Sequence, residues 1–254
     1  MSNTDMHKQL VHLLKELRLP MFREYFAELS KEAVQKDLTY EQYLLELAQR
    51  EYEVRRLHKI ERLIKTSKLP MEKTFDNFDF KRMPLKIRQQ IKILVEGSFV
   101  NRSENILAFG NPGSGKTHLL CAICHELARQ GKKVYFASCD LMVQQLLRAK
   151  RELELDKMLK KLSHYEALMI DDFGYVKQDR EEMEVLFTLL AYRYERGSVL
   201  LTSNLPFSKW EIIFKDPMTT AAAIDRLVHH SVVLELNVPS YRAEQAKKRK
   251  IEDM

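Results

Sequence analysis

Apolar residues in the first part of the chain recur at helical spacing. Leu10, Leu13, Leu14 and Leu17 form one run, Tyr40, Leu44 and Leu47 a second, and Val54, Leu57, Ile60 and Ile64 a third. Intervals of three and four place such side chains on one face of a helix. From residue 1 to about residue 68 there is no glycine, and Pro20 is the only proline. The pattern predicts an all-helical N-terminal module, with Thr39 and Gln42 spaced as a capping box before the second run. Its last helix is long and carries Arg50, Arg55, Arg56, Lys59, Arg62, Lys65 and Lys68, with Glu51, Glu53 and Glu61 between them. That face is either a solvated surface or a docking or DNA-facing one.

The stretch SKLPMEKTFDNFDF (67–80) breaks the helical period. Pro70 and the spaced aromatics Phe75, Phe78 and Phe80 predict an ordered linker that packs on the next domain; a flexible one would be rich in Gly and Ser. From about residue 100 the texture changes. NILAFG (105–110), KVYFAS (133–138), ALMIDD (167–172), SVLLTSN (198–204) and SVVLEL (231–236) are short β-rich runs separated by helical ones. Strands alternating with helices predict an α/β domain with a parallel sheet covered on both faces, and ligands at the carboxyl ends of the strands. The expected division is a helical interaction or oligomerisation domain at 1–70, a packed linker at 71–98, an α/β domain at 99–240 and a basic tail at 241–254. In that tail KKRK (247–250) is a nucleic-acid arm or a solubilising tail.

Composition narrows the function classes. The 254 residues are 45% hydrophobic and 31% charged, with a net charge of +6 and a pI of about 9.0. The mild basic excess permits a polyanionic partner without requiring one. The apolar runs fall short of the ~20 residues a membrane helix needs, and the first residues lack the apolar core of a signal peptide. With three cysteines in no framework spacing, a reducing, cytoplasmic setting is expected. CAICH (121–125) matches the haem-attachment spacing, but it falls within a predicted helix, where the thiols read as packing residues.

Three of the seven glycines lie in FGNPGSGKTH (109–118). Residues 110–117 match G-x4-G-K-[ST], directly after a predicted strand and opening a predicted helix, the setting of a phosphate-binding loop. Glycines leave room for backbone N–H groups to curl around phosphate oxygens, and the helix N-terminus adds its dipole. Gly110, Asn111, Pro112, Gly113, Ser114, Gly115, Lys116, Thr117 and His118 are the candidate nucleotide-binding stretch. Lys116 can reach the β- and γ-phosphates, and Thr117 can offer its hydroxyl to Mg2+.

The other candidate chemistry sits at strand ends. In ALMIDDFG, four apolar residues lead to Asp171, suited to the Mg2+ shell, and Asp172, which can orient or deprotonate an attacking water. Asp is one methylene shorter than Glu, which shortens the reach of Asp172 toward that water. If the sheet order is 5-1-4-3-2, Asn204 lies between the loop strand and the acidic strand and can contact the γ-phosphate or the water; a turn residue before Pro206 is the alternative. In TTAAAIDRLVHHSVVLEL, Arg226 precedes the last strand, where it can serve a neighbouring subunit's nucleotide as an arginine finger, or form a local surface pair with Asp225.

The order GNPGSGKT, MIDD, TSN, IDRL resembles an AAA+ ATPase. The fuller series LRLPMF, TFDNFDF, NILAFGNPGSGKTHL, MIDDFG, LLTSNLPFSKW, IDRLVHHSVVLEL and PSYR resembles the IstB-like proteins, helper ATPases of insertion-sequence transposases, and their relative, the DnaC helicase loader. The resemblance runs over nearly the whole chain. It implies a P-loop AAA+ domain with a five-stranded parallel sheet and no C-terminal helical lid, which fits the 18 residues that follow Leu236. It also implies ATP and Mg2+ as cofactors, phosphate contacts from 110–117 and metal at Thr117 and Asp171. Lys116, Asp172, Asn204 and Arg226 are its catalytic positions, and Arg242 in SYR stands where a sensor arginine could reach phosphate.

The implied activity is ATP hydrolysis to ADP and phosphate, stimulated by DNA. The implied partners are double-stranded DNA, a transposase and further copies of the chain, with ATP at subunit interfaces. A replicative helicase as client, or a nucleotide-gated scaffold with negligible turnover, are the alternatives; a small-molecule kinase is a further one. In AAA+ initiators and loaders an extra helix between the second and third strands faces DNA. Here residues 139–166 have room for two helices or a bent one, and Arg148, Lys150, Arg151, Lys157, Lys160 and Lys161 are candidate phosphate contacts. Glu152, Glu154 and Asp156 could instead pair with them on a solvated face.

Overall fold

The computed structural model describes residues 3–174, 179–214 and 216–244. The KKRK stretch lies outside the described residues. The chain divides into two compact units, Met1–Arg62 and Leu63–Met254.

The first unit contains α1 (Asn3–Glu16), α2 (Pro20–Gln35) and most of α3 (Tyr40–Ser67). Pro20 opens α2, where its missing N–H costs nothing. The Glu51 carboxylate, buried to 5% exposure, accepts from Met21 N at 2.9 Å and from Arg55 Nε at 2.6 Å. A negative charge at the first turn of α2 is favoured by the helix dipole. The capping box forms: Thr39 N donates to Gln42 Oε1 at 2.8 Å and Gln42 N to Thr39 Oγ1 at 3.2 Å. The apolar runs do not all turn inward. Leu14, Leu29 and Leu47 are buried, whereas Leu10, Leu13, Leu17, Tyr40, Leu44 and Leu57 are exposed. Three helices have too little interior to enclose every apolar position.

The second unit is built on a five-stranded sheet in the order β2-β3-β4-β1-β5. Its strands are β1 (Asn105–Phe109), β2 (Val134–Ser138), β3 (Ala167–Phe173), β4 (Ser198–Ser203) and β5 (Ser231–Glu235), all paired in parallel. This is the order on which the reading of Asn204 is conditional, with β1 between β4 and β5. Alternate residues of each strand enter different cores. Leu107, Leu168, Ile170 and Leu201 pack with α7 (Cys139–Arg151), α8 (Leu155–Ser163), α9 (Arg180–Arg193) and α11 (Pro217–Val228). Ile106, Ala108, Met169 and Leu200 pack with α4 (Leu85–Val95), α5 (Ser98–Asn101) and α6 (Lys116–Arg129). Burial on both faces explains why these strands read as continuous apolar runs. α10 (Glu211–Phe214) follows the turn after β4, where Trp210 is fully buried against Phe109, Phe173 and Phe207.

The segment expected as a linker is itself part of the second core. Phe75 and Phe80 stack, Phe78 meets both edge-on, and Phe78 and Met83 are buried with Ile87, Ile91 and Leu94 of α4. Residues 139–166 form two helices, α7 and α8, turned by Leu153 in a left-handed conformation (φ 59°). Cys121 and Cys124 are buried in α6, and Cys121 Sγ lies 3.7 Å from Met169 Sδ. His125 Nε2 lies 3.0 Å from Pro70 O. Among the described residues, no helix is long and apolar enough to cross a membrane.

Candidate nucleotide site

The carboxyl ends of β1, β3 and β4 open on a cavity of about 580 Å³, within the range of small-molecule sites. The loop between β1 and α6 supplies one wall. Gly110, Gly113 and Gly115 have φ of 149°, 79° and 96°, values that L side chains rarely adopt. At Gly113 a Cβ would collide with Ser240 Oγ, and at Gly110 with the carbonyl of Leu236, so both glycines are also fixed by the close approach of the C-terminal segment.

Residues 112–118 line the cavity, Lys116 and Thr117 among them. Gly110 and Asn111 stand behind it: their carbonyls accept from Lys116 Nζ at 2.8 and 3.0 Å. The third acceptor of that ammonium is Asn204 Oδ1, at 2.6 Å. Lys116 is 5% exposed, and burial holds its pKa below the usual lysine value, against the pull of the Asp172 and Asp171 carboxylates. His118 lines the wall, with Nε2 2.8 Å from Thr74 O and its ring edge-on to Phe78.

The acidic pair depends on a defect in the sheet. Successive strand residues point to opposite faces, which would send only one of Asp171 and Asp172 into the cavity. The pairing of β3 with β4 shifts register between Ile170 and Phe173, and Asp172 is left-handed, with φ 56°. With this bulge both aspartates line the cavity. Asp171 is buried and accepts from Thr117 Oγ1 at 2.8 Å and from Thr202 Oγ1 at 2.6 Å, while Asp172 N donates to Thr202 Oγ1 at 2.9 Å. Partial burial, then the neighbouring Asp171 charge, raises the Asp172 pKa above its ordinary value. Thr202 is thus a support that the sequence signals only as part of TSN.

Arg242 lines the cavity and Arg226 does not. The Arg226 guanidinium lies 4.9 Å from the Phe187 ring centroid on α9, and Nη1 donates to Ala222 O at 3.1 Å. The sequence reading missed Asn77, Phe78, Asp79, Arg82 and Tyr241, which also line the cavity; the clustered aromatics of TFDNFDF were the available signal. The six basic candidates lie on α7 and α8. Arg148 pairs with Glu152 at 2.9 Å, Lys150 with Glu184 at 3.0 Å and Lys157 with Glu154 at 2.9 Å. Arg151, Lys160 and Lys161 are exposed.

The residues present suit a magnesium nucleotide. The Ser114 hydroxyl is buried in the loop with no hydrogen-bond partner among the described residues, a polar group that a phosphate oxygen would satisfy. Thr117 and Asp171 bring a hydroxyl and a carboxylate together, the hard oxygen donors Mg2+ takes.

The family model for IstB-like ATP binding proteins matches residues 12–249. An insertion-sequence ATP-binding protein of Sinorhizobium fredii is 38% identical over 249 residues, covering 98% of this chain and 84% of that protein. The IS21 ATP-binding protein of Pseudomonas aeruginosa is 36% identical over 240 residues, or 94% and 91%. Among solved structures, AMPPCP-bound DnaA from Aquifex aeolicus is similar at a TM-score of 0.56 and 18% identity, covering 74% of this chain and 57% of that one. The DnaC helicase loader is similar at 0.52 and 21%, covering 65% and 97%. These structural likenesses show the fold, an α/β domain on a five-stranded parallel sheet with a phosphate loop after β1. Matched over most of its length by the family model and by these insertion-sequence relatives, the chain belongs to the IstB-like ATP-binding protein family.

Proposed function

We propose that this protein is an ATP-dependent, DNA-binding AAA+ ATPase that assembles on duplex DNA and assists a transposase in choosing or preparing its target. The observation that carries the reading is the convergence of Lys116, Thr117, Asp171, Asp172 and Asn204 on one cavity, while Arg226 lies outside it. Such a site binds ATP and is completed by a second subunit.

In this reading residues 112–117 hold the phosphates through backbone N–H groups and Lys116 neutralises their charge. Thr117 and Asp171 would hold Mg2+, which when bound offsets charge on the phosphate oxygens. Asp172 accepts the proton of the attacking water, Asn204 orients that water or the γ-phosphate, and Arg226 of a neighbouring copy stabilises the charge that develops. Exposed basic side chains of α7 and α8 contact duplex phosphates. The first unit, with exposed Leu10, Leu13, Leu17 and Leu44, serves as the interaction or oligomerisation module that selects the client. The insertion-sequence association of the relatives supports a transposase as client; a replicative helicase is the competing client.

One observation favours a second reading. Asp172 is the shorter acid and is held left-handed, which suits a nucleotide-gated scaffold with little turnover. The test is ATP hydrolysis with and without duplex DNA. Arg226→Ala and Lys116→Ala proteins should each be inactive, and their mixture should regain part of the activity. A wild type that binds ATP without turnover supports the scaffold, and a dead mixture of folded variants removes the finger in trans.

A further inference from the structure

A guanidinium lines the cavity beside the phosphate loop. Arg82 ends a single 3-10 turn, Phe80–Arg82. Its Nη2 donates to Pro239 O at 2.9 Å and pairs with Glu244 Oε1 at 3.0 Å, and its Cζ lies 5.1 Å from the Tyr241 ring centroid. The Arg82 side chain is 17% exposed. One residue therefore grips the main chain, a carboxylate and a ring of the same short segment, 239–244. A planar, forked cation can do all three at once, whereas a lysine ammonium offers a point charge.

That segment is seated on the phosphate loop itself. Tyr241 N donates to Gly113 O at 3.0 Å and Leu236 N to Phe109 O at 2.7 Å. Ser240 fills the space over Gly113 where any Cβ would stand. Glu244 N donates to Ser240 O at 3.1 Å, which winds the segment into one turn. Arg242, carried on this turn, lines the same cavity as Lys116, Asp171 and Asp172, and its charge acts on both Lys116 and Asp172. A short turn joined to the loop by the main-chain hydrogen bond from Tyr241 N to Gly113 O opens readily without further support. Arg82 ties it to the rest of the wall.

We infer that Arg82 is a positioning residue that clamps segment 239–244 onto the phosphate loop and so aims Arg242 at the terminal phosphate of the bound nucleotide. The inference rests on the reading of the cavity as an ATP site. It gives the segment before α4 a task in nucleotide discrimination: it holds the strap that carries Arg242.

The test is a double-mutant cycle on the full chain, reading the affinities for ADP and for a non-hydrolysable ATP analogue by titration calorimetry. Arg82→Ala and Arg242→Ala should each weaken the ATP analogue about tenfold and ADP far less. The double variant should lose no more than either alone, because each change removes the same contact. Equal losses for both nucleotides, or additive losses, would overturn the inference, since a merely structural Arg82 behaves in that way. If Arg82→Ala does not fold, Arg82→Lys decides: a smaller but ATP-selective loss supports the clamp, and wild-type selectivity overturns it. A wild type that binds neither nucleotide is a separate outcome, which removes the ATP reading itself and the inference with it.

Discussion

Thr117 Oγ1 donates a hydrogen bond to Asp171 Oδ1 across 2.8 Å, joining the first turn of α6 to the end of β3. Thr202 reaches the same carboxylate oxygen from β4 at 2.6 Å. The acid is thereby fixed by two hydroxyls before any ligand arrives, which is the preorganisation a metal site needs. Asp171→Asn keeps an acceptor for both hydroxyls and removes the charge. Its thermal midpoint should stay close to wild type, while Mg2+-dependent hydrolysis falls about 100-fold or more. A variant that hydrolyses at the wild-type rate at low Mg2+ would remove Asp171 from the metal shell.

Asn204 is bonded to Lys116 and is also the residue proposed to meet the γ-phosphate or the water. The two tasks separate by substitution. Asn204→Ala leaves Lys116 with the carbonyls of Gly110 and Asn111, so ATP affinity should change less than about threefold while hydrolysis falls at least about tenfold. Asn204→Asp sets a carboxylate against the ammonium that must serve phosphate, and ATP affinity should fall about tenfold. Wild-type hydrolysis in Asn204→Ala would leave Asn204 only the task of holding Lys116. Fluorescent-nucleotide titration and a phosphate-release assay read both quantities.

The phosphate loop, the strands and the helical front could be read from the chain because each rests on local spacing. Glycines at 110, 113 and 115 mark a conformation that other residues rarely adopt, and the five apolar runs mark strands buried on two faces. The bulge at Asp171 and Asp172 left no such mark. Consecutive aspartates after four apolar residues look the same whether one or both face the site, and the register shift against β4 that decides it is a long-range pairing. The wall built by Arg82 and Tyr241 was hidden for the same reason. Arg82 and Pro239 are 157 positions apart, and no periodicity links them. The exposed leucines of α1 show the converse limit, since helical spacing identifies a face without saying whether anything covers it.

Burial pushes the Cys121 thiol up to about 12 and the Cys124 thiol well above its ordinary value. Both are acids whose folded pKa is raised. Below about pH 9 the thiols are protonated in both states and contribute nothing to the pH dependence. Above it the unfolded chain ionises while the folded one does not, and stability falls by about 1.4 kcal/mol per pH unit per thiol. Between pH 8 and 10.5 wild type should therefore lose about 2 kcal/mol more than Cys121→Ala in urea unfolding. Equal losses would mean that Cys121 is less enclosed than its contact with Met169 indicates.

The basic side chains of α7 and α8 are not equivalent as proposed phosphate contacts. Arg148, Lys150 and Lys157 are already paired with Glu152, Glu184 and Glu154, and recruiting them to DNA means exchanging one anion for another. Arg151, Lys160 and Lys161 are exposed, and a phosphate adds to their interactions. Each phosphate contact releases counterions and contributes about 0.9 to the slope of log K against log salt. Reversing Arg151, Lys160 and Lys161 to Glu together should therefore flatten that slope by roughly 2 to 3. Reversing Arg148 and Lys157 should change it less. Fluorescence anisotropy with a labelled duplex over a salt series measures both sets in the presence of ATP. A folded triple variant with an unchanged slope would show that DNA lies on another face, and a larger effect from the paired set would reverse the ranking drawn from the ion pairs.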